Sequence, residues 1–86
     1  MHEYKAVEVV KSLLKACIDS KVELCSDVKF RERCRDRDRF VSDVILCLYD
    51  TVTDFIAELC KVIDSKYFSI LEDVERAYRE LENKLK

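Results

Sequence analysis

Residues 40–63 read FVSDVILCLYDTVTDFIAELCKVI, and this stretch decides the fold. Its apolar residues recur at alternating steps of four and three, which is the spacing of a helix surface that packs against a partner. The seam they form comprises Val41, Ile45, Leu48, Val52, Phe55, Leu59 and Val62, with Ile56 beside it. Other apolar residues widen this arc beyond the roughly 100° stripe of a helix that has one solvated side. We therefore expect one helix over about 39–63, with at least two helices packed on it.

Two more amphipathic segments flank the central one. Val7, Val10, Leu14 and Ile18 lie at steps of three or four and predict a helix over about 3–28. After Ile63 the apolar series resumes with its register slipped by one position, which favours a boundary or kink at residues 64–66 and a third helix over about 66–85. The alternative is a single helix of about 47 residues, far longer than the average of about 12.

Composition supports an all-α chain with a single domain over residues 1–86. The 86 residues contain neither glycine nor proline, so hairpin turns and bulges lack their usual residues. Residues 29–38 carry almost no apolar side chains and are the expected main turn, with Asp36 or Asp38 as N-cap of the central helix. The predicted architecture is an antiparallel helical hairpin or a three-helix bundle.

Charge and composition bear on location and origin. The net charge of −2 provides no overall attraction to nucleic acid or acidic membranes. We see neither a stretch of about 20 apolar residues nor a secretion signal, and expect a cytoplasmic protein without a membrane partner. Five cysteines, no glutamine and a single asparagine, Asn83, are compatible with a hyperthermophilic source.

An arginine series is the most distinctive local feature. It comprises Arg31, Arg33, Arg35, Arg37 and Arg39. Guanidinium groups bind phosphate well, so these residues are candidate nucleic-acid contacts. Spacing by two distributes them around a helix, however, and neighbouring acidic residues neutralise about half of their charge, so the competing interpretation is a solvated, salt-bridged turn.

The cysteines suggest disulfides rather than a metal site. They lack the Cys-x-x-Cys spacing of zinc sites. A turn near Asp36 would bring Cys17 opposite Cys60 and Cys25 opposite Cys47. The two intervals differ by about 8 Å along a helix, so we expect one of these bridges, with Cys34 left over near the turn. The alternative is that the cysteines are reduced, buried apolar residues.

No catalytic or cofactor site is predicted. The sole histidine is His2, so no serine, threonine or cysteine nucleophile has a base within expected reach. A phosphate-binding loop would need glycine. We therefore expect neither enzymatic activity, a metal ion nor a cofactor.

The wide apolar arc predicts self-association. Even a three-helix monomer is expected to leave part of the arc near the surface, including some of Leu46, Tyr49, Ile56 and Tyr78. A homodimer would bury it in a four- or six-helix bundle around a twofold axis. The leading hypothesis is a non-enzymatic protein–protein interaction module, an adaptor or regulator. The alternatives are a nucleic-acid-binding regulator that uses residues 29–39 and a disulfide-stapled structural or particle protein.

Overall fold

The computed structural model describes residues 3–53 and 57–85, and the side chains of residues 5–53 and 59–85. Within these ranges all regular structure is helical and no strand is present, so the all-α prediction is confirmed. The α-helices are α1 (Glu3–Cys25), α2 (Arg31–Cys34), α3 (Arg37–Val52), α4 (Ala57–Ser65) and α5 (Tyr67–Leu85), with a 3-10 turn over Val28–Phe30.

Helices α1 and α3 run antiparallel. Cys17 lies opposite Cys47, and the Lys21 ammonium pairs with the Asp43 carboxylate at 2.6 Å. The connection between them spans residues 26–36, because α1 ends at Cys25, three residues before the predicted end, and it contains the 3-10 turn and α2. Asp36 is the N-cap of α3, and its carboxylate accepts a hydrogen bond from the Arg39 amide at 3.3 Å. Capping at this position satisfies one of the unpaired amides of the first turn.

The expected continuous helix over 39–63 is wrong, because α3 ends at Val52. The Tyr49 hydroxyl donates to the Asp64 carboxylate at 3.2 Å, although fifteen residues of one helix would hold these positions about 22 Å apart. Arg37, at the start of α3, pairs with Glu75, which follows Asp64 in the chain, so the two segments run in opposite directions. The arm that begins at Ala57 therefore runs antiparallel to α3.

The predicted boundary near residues 64–66 is present as the junction of α4 and α5, which one residue, Lys66, connects. Its amide donates to the Val62 carbonyl at 3.0 Å, and its carbonyl accepts from the Ile70 amide at 3.0 Å. Helical hydrogen bonds thus continue on both sides of Lys66. Since Asp64 and Glu75 both face α3, helices α4 and α5 advance in the same direction and together form the third arm of a three-helix bundle.

The core lies along the axis of this bundle. The fully buried side chains of α3 are Phe40, Val44, Leu48 and Val52, one on each turn. Tyr78 on α5, one of the four residues of which we expected some to lie near the surface, is also buried, because its ring packs on Phe40 at a centroid distance of 5.4 Å. Its hydroxyl reaches the Arg35 carbonyl at 2.6 Å.

The bundle is elongated, with extents of 44 × 21 × 17 Å. Helices α1 and α5 are both antiparallel to α3 and so run parallel to each other. A groove lies between them, lined by residues 11–18 of α1 and residues 73–80 of α5. Each chain is therefore a bundle of three helical arms: α1, α3, and α4 together with α5.

Candidate interaction surface

The predicted seam divides between the core and one flank of the bundle. Leu48, Val52, Leu59 and Val62 are buried. Val41 and Ile45 are half-buried and line the boundary between α3 and α5. Phe55 and Ile56 lie outside the described residues, as does His2.

Leu46, the most exposed apolar side chain of α3, lines this flank, and Phe68, the most exposed one of α5, directly follows Tyr67, which also lines it. Leu46 on α3 is 57% exposed and Phe68 on α5 is 79% exposed. Tyr67 lies beside Phe68 in an edge-on arrangement, with ring centroids 5.9 Å apart. Together with the adjoining groove of about 340 Å³, these residues form what we call the Leu46/Phe68 face: Val41, Ile45, Leu46, Tyr67, Phe68 and Leu71.

Position in the helix explains these exposures. Leu46 lies half a turn away from the buried Val44 and Leu48, so neither α1 nor α5 can cover it. Phe68 stands outside the apolar series of α5, whose buried members include Ile70, Val74 and Leu81. Tyr49, at the end of this flank, is half-buried, and Ile56 is outside the described residues.

Sequence reasoning missed Phe68. The signal was present, because an aromatic residue off the buried stripe of an amphipathic helix has no core position to occupy. Isolated exposed apolar residues are common on protein surfaces, whereas neighbouring ones are informative. Leu24 and Val28, also exposed, lie at the end of α1 and in the 3-10 turn, apart from this face.

All five arginines of the series are exposed. Arg35 pairs with Glu32 at 2.8 Å, and Arg37 contacts both Asp38 and Glu75. Arg31, Arg33 and Arg39 have no ion-pair partner within the described part of the chain. The salt-bridged turn therefore accounts for only part of the series.

The cysteine pairing differs from the predicted one. The pairs at disulfide distance are Cys17 with Cys47 and Cys25 with Cys34, with Cα separations of 5.9 and 5.8 Å. Cys60, half-buried on α4, is left unpaired. The predicted pairs, Cys17 with Cys60 and Cys25 with Cys47, fail because the α1–α3 hairpin is centred near residue 32 and not near Asp36, and because α4 belongs to a different arm.

Burial raises the pKa of two tyrosines above the ordinary value of 10. For Tyr49 the hydrogen bond to Asp64 adds to the effect of burial. For Tyr78 the nearby Glu82 carboxylate adds to it. Both hydroxyls thus serve as protonated donors that tie helices together.

Among the described residues, no three histidine, cysteine, aspartate or glutamate side chains are grouped so that they could hold a metal ion. Over the same residues, every helix is too short or too polar to cross a bilayer. Comparison of the chain with protein-family models, with curated proteins and with solved structures gave no significant match.

Proposed function

We propose that the chain is a small, non-enzymatic protein-interaction module that acts as a homodimer through the Leu46/Phe68 face. One observation carries this proposal: two large apolar side chains on neighbouring helices, Leu46 and Phe68, are 57% and 79% exposed beside a groove lined by further apolar residues.

The physical chemistry favours burial of this face against protein. Each square ångström of apolar surface removed from water contributes about 25 cal/mol. Aromatic side chains are the residues that most often dominate interface energies. Because each chain contributes three helical arms, a twofold dimer through this face is a six-helix bundle. We therefore propose the six-helix bundle and not the four-helix one.

The test is sedimentation velocity at micromolar concentration, with the wild type compared with Leu46→Asp and Phe68→Asp. We expect the wild type to sediment as a dimer and each variant to weaken association by at least roughly tenfold, since a buried unpaired carboxylate is costly. Val28→Asp is the matched control, because Val28 is 73% exposed but lies off the face. A monomeric wild type, or variants that dimerise as tightly as the control, would refute the proposal.

Nucleic-acid binding through residues 29–39 is the second candidate, and the exposed, unpaired Arg31 and Arg33 favour it. Phosphate binders lose affinity steeply as salt is added. If this function holds, the double variant Arg31→Ala/Arg33→Ala should bind short DNA or RNA duplexes more weakly and with a flatter salt dependence. Absence of binding by the wild type at low salt would eliminate this candidate.

A further inference from the structure

The solvent side of α3 carries a single line of residues with opposite charges at its two ends. Arg39, Ser42, Leu46 and Asp50 follow one another at steps of three and four, so they share one helix face, and all four are exposed. This face points away from the buried Phe40, Val44, Leu48 and Val52. The apolar Leu46 thus stands between a cation and an anion.

The two charged ends of this line are symmetric about the middle of the helix. Arg39 is the third residue of α3 and Asp50 is the third from its end, about 17 Å away along the axis. The midpoint between them falls between Val44 and Ile45, which is also the midpoint of α3 itself. An antiparallel copy of α3 placed about this point would bring each Arg39 level with the partner's Asp50.

Neither charge is paired within the described part of the chain. Arg39 and Asp50 have no ion-pair partner among residues 5–53 and 59–85, although six of the other acidic residues and five of the other basic ones do have such partners. Each also stands at the unfavourable end of the helix dipole, with the cation in the first turn and the anion in the last. Their placement therefore adds nothing to the stability of an isolated α3.

Phe68 provides an independent observation. Tyr49 lies level with Asp64 and Arg37 level with Glu75, so Phe68 on α5 lies level with Val44 and Ile45 of α3. Phe68, the most exposed aromatic side chain among the described residues, is therefore at the height of the same midpoint. A twofold axis there would bring the apolar residues of both copies together at the centre and place charged residues at the rim, which is the usual anatomy of an interface.

We infer that the occupant of the Leu46/Phe68 face is a second copy of this chain, with the two α3 helices antiparallel about the Val44/Ile45 midpoint and Arg39 of each copy paired with the partner's Asp50. This inference rests on the proposed homodimer and adds its geometry and register. Electrostatic complementarity of this kind selects the partner and fixes register more than it adds affinity.

The experiment is a charge swap measured by sedimentation equilibrium at low and high salt. Arg39→Asp and Asp50→Arg each replace two attractive contacts in the dimer by two repulsive ones, so each should weaken self-association by roughly tenfold. The double variant Arg39→Asp/Asp50→Arg restores opposite charges and should dimerise within about threefold of the wild type. Glu8→Arg, on the exposed side of α1, is the control for a general change in net charge.

Mixing the two single variants provides the sharpest measurement. In the mixed dimer both contacts regain opposite charges, so tagged Arg39→Asp chains should pair with Asp50→Arg chains in preference to themselves. Circular dichroism checks that each variant keeps its helix content. If the wild type dimerises and Leu46→Asp disrupts the dimer, while the swaps and the mixture have no effect, the antiparallel register is refuted and the proposed function stands. A monomeric wild type refutes both.

Discussion

Tyr78 joins three parts of the molecule through one side chain. Its ring packs on Phe40 of α3, and its hydroxyl donates to the carbonyl of Arg35, the residue that caps the end of α2. The carbonyls at a helix end lack partners within the helix, so this hydrogen bond satisfies a group that would otherwise need water. A single residue of α5 therefore holds the turn between α1 and α3 in place.

Tyr78→Phe should destabilise the fold by about 1 kcal/mol, because it keeps the ring and removes only the hydrogen bond. Urea unfolding at pH 7 measures the change. Tyr67→Phe is the matched control, since Tyr67 is 37% exposed, and its effect should fall within about 0.5 kcal/mol of zero. Equal stability of the two variants would show that the Arg35 contact contributes nothing.

Tyr78 should also make the stability of the fold depend on pH in the alkaline range. Burial raises the pKa of Tyr78 in the folded chain, so the folded state keeps a proton that the unfolded state releases near pH 10. Below pH 10 this contribution to stability is fully present, and it is lost as the pH rises through the folded pKa. Between pH 9 and pH 11 the free energy of unfolding should therefore fall less for Tyr78→Phe than for the wild type. Tyr49, whose pKa is also raised, contributes to the decline that remains.

The cysteine pairs act at the scale of helical elements. Cys17 and Cys47 join α1 to α3 across thirty residues, whereas Cys25 and Cys34 join the end of α1 to α2 across nine. Chain-entropy estimates for closed loops of these lengths are about 3.6 and about 2.6 kcal/mol.

Peptide mapping without reductant should recover these two pairs and leave Cys60 modifiable. The double variant Cys17→Ala/Cys47→Ala should lose about 1 kcal/mol more stability than Cys25→Ala/Cys34→Ala, as measured by denaturant unfolding. Reductant breaks the disulfides of the wild type, so it should abolish most of the difference in stability between each variant and the wild type. The difference that remains in reductant measures the loss of packing. Recovery of a Cys17–Cys60 peptide would contradict the arrangement of the arms.

The junction at Lys66 gives a sharp distinction between a helix and a loop. Proline at this position removes the amide that donates to Val62 and clashes with the preceding turn, so Lys66→Pro should cost about 3 kcal/mol. Lys66→Ala keeps the amide and should be nearly neutral, since Lys66 is exposed. Thermal unfolding followed by circular dichroism compares the two. Tolerance of proline would mean that α4 and α5 are joined by a loop.

Helix content was predictable because apolar periodicity is a local property, and so was an N-cap at Asp36 or Asp38. Direction was not. The steps from Val52 to Phe55 to Leu59 keep helical spacing across the reversal, and no glycine or proline marks it, so the sequence reads as one rod. Cysteine pairing failed for the same reason, because it depends on where each arm turns. Exposure of Leu46 was predictable, since it stands outside the buried stripe of α3.

At the scale of the whole molecule, folding of a chain of this size buries only about 60% of the surface that the unfolded chain exposes, so a partner adds appreciable stability. If the homodimer forms, the melting temperature should rise with protein concentration, because association stabilises the folded state by mass action. We expect a rise of several degrees between about 5 and 500 μM for the wild type, and a smaller rise for Leu46→Asp. Differential scanning calorimetry measures both, and concentration-independent melting of the wild type would speak against assembly.

The position of Cys60 has a practical consequence. The chain contains no tryptophan, so it lacks the usual intrinsic fluorophore. With the other four thiols joined in pairs, Cys60 on α4 becomes a single attachment point for a maleimide dye, and no engineered cysteine is needed. Such a dye would sit on the arm that follows the chain reversal, and its emission would follow the docking of that arm in real time.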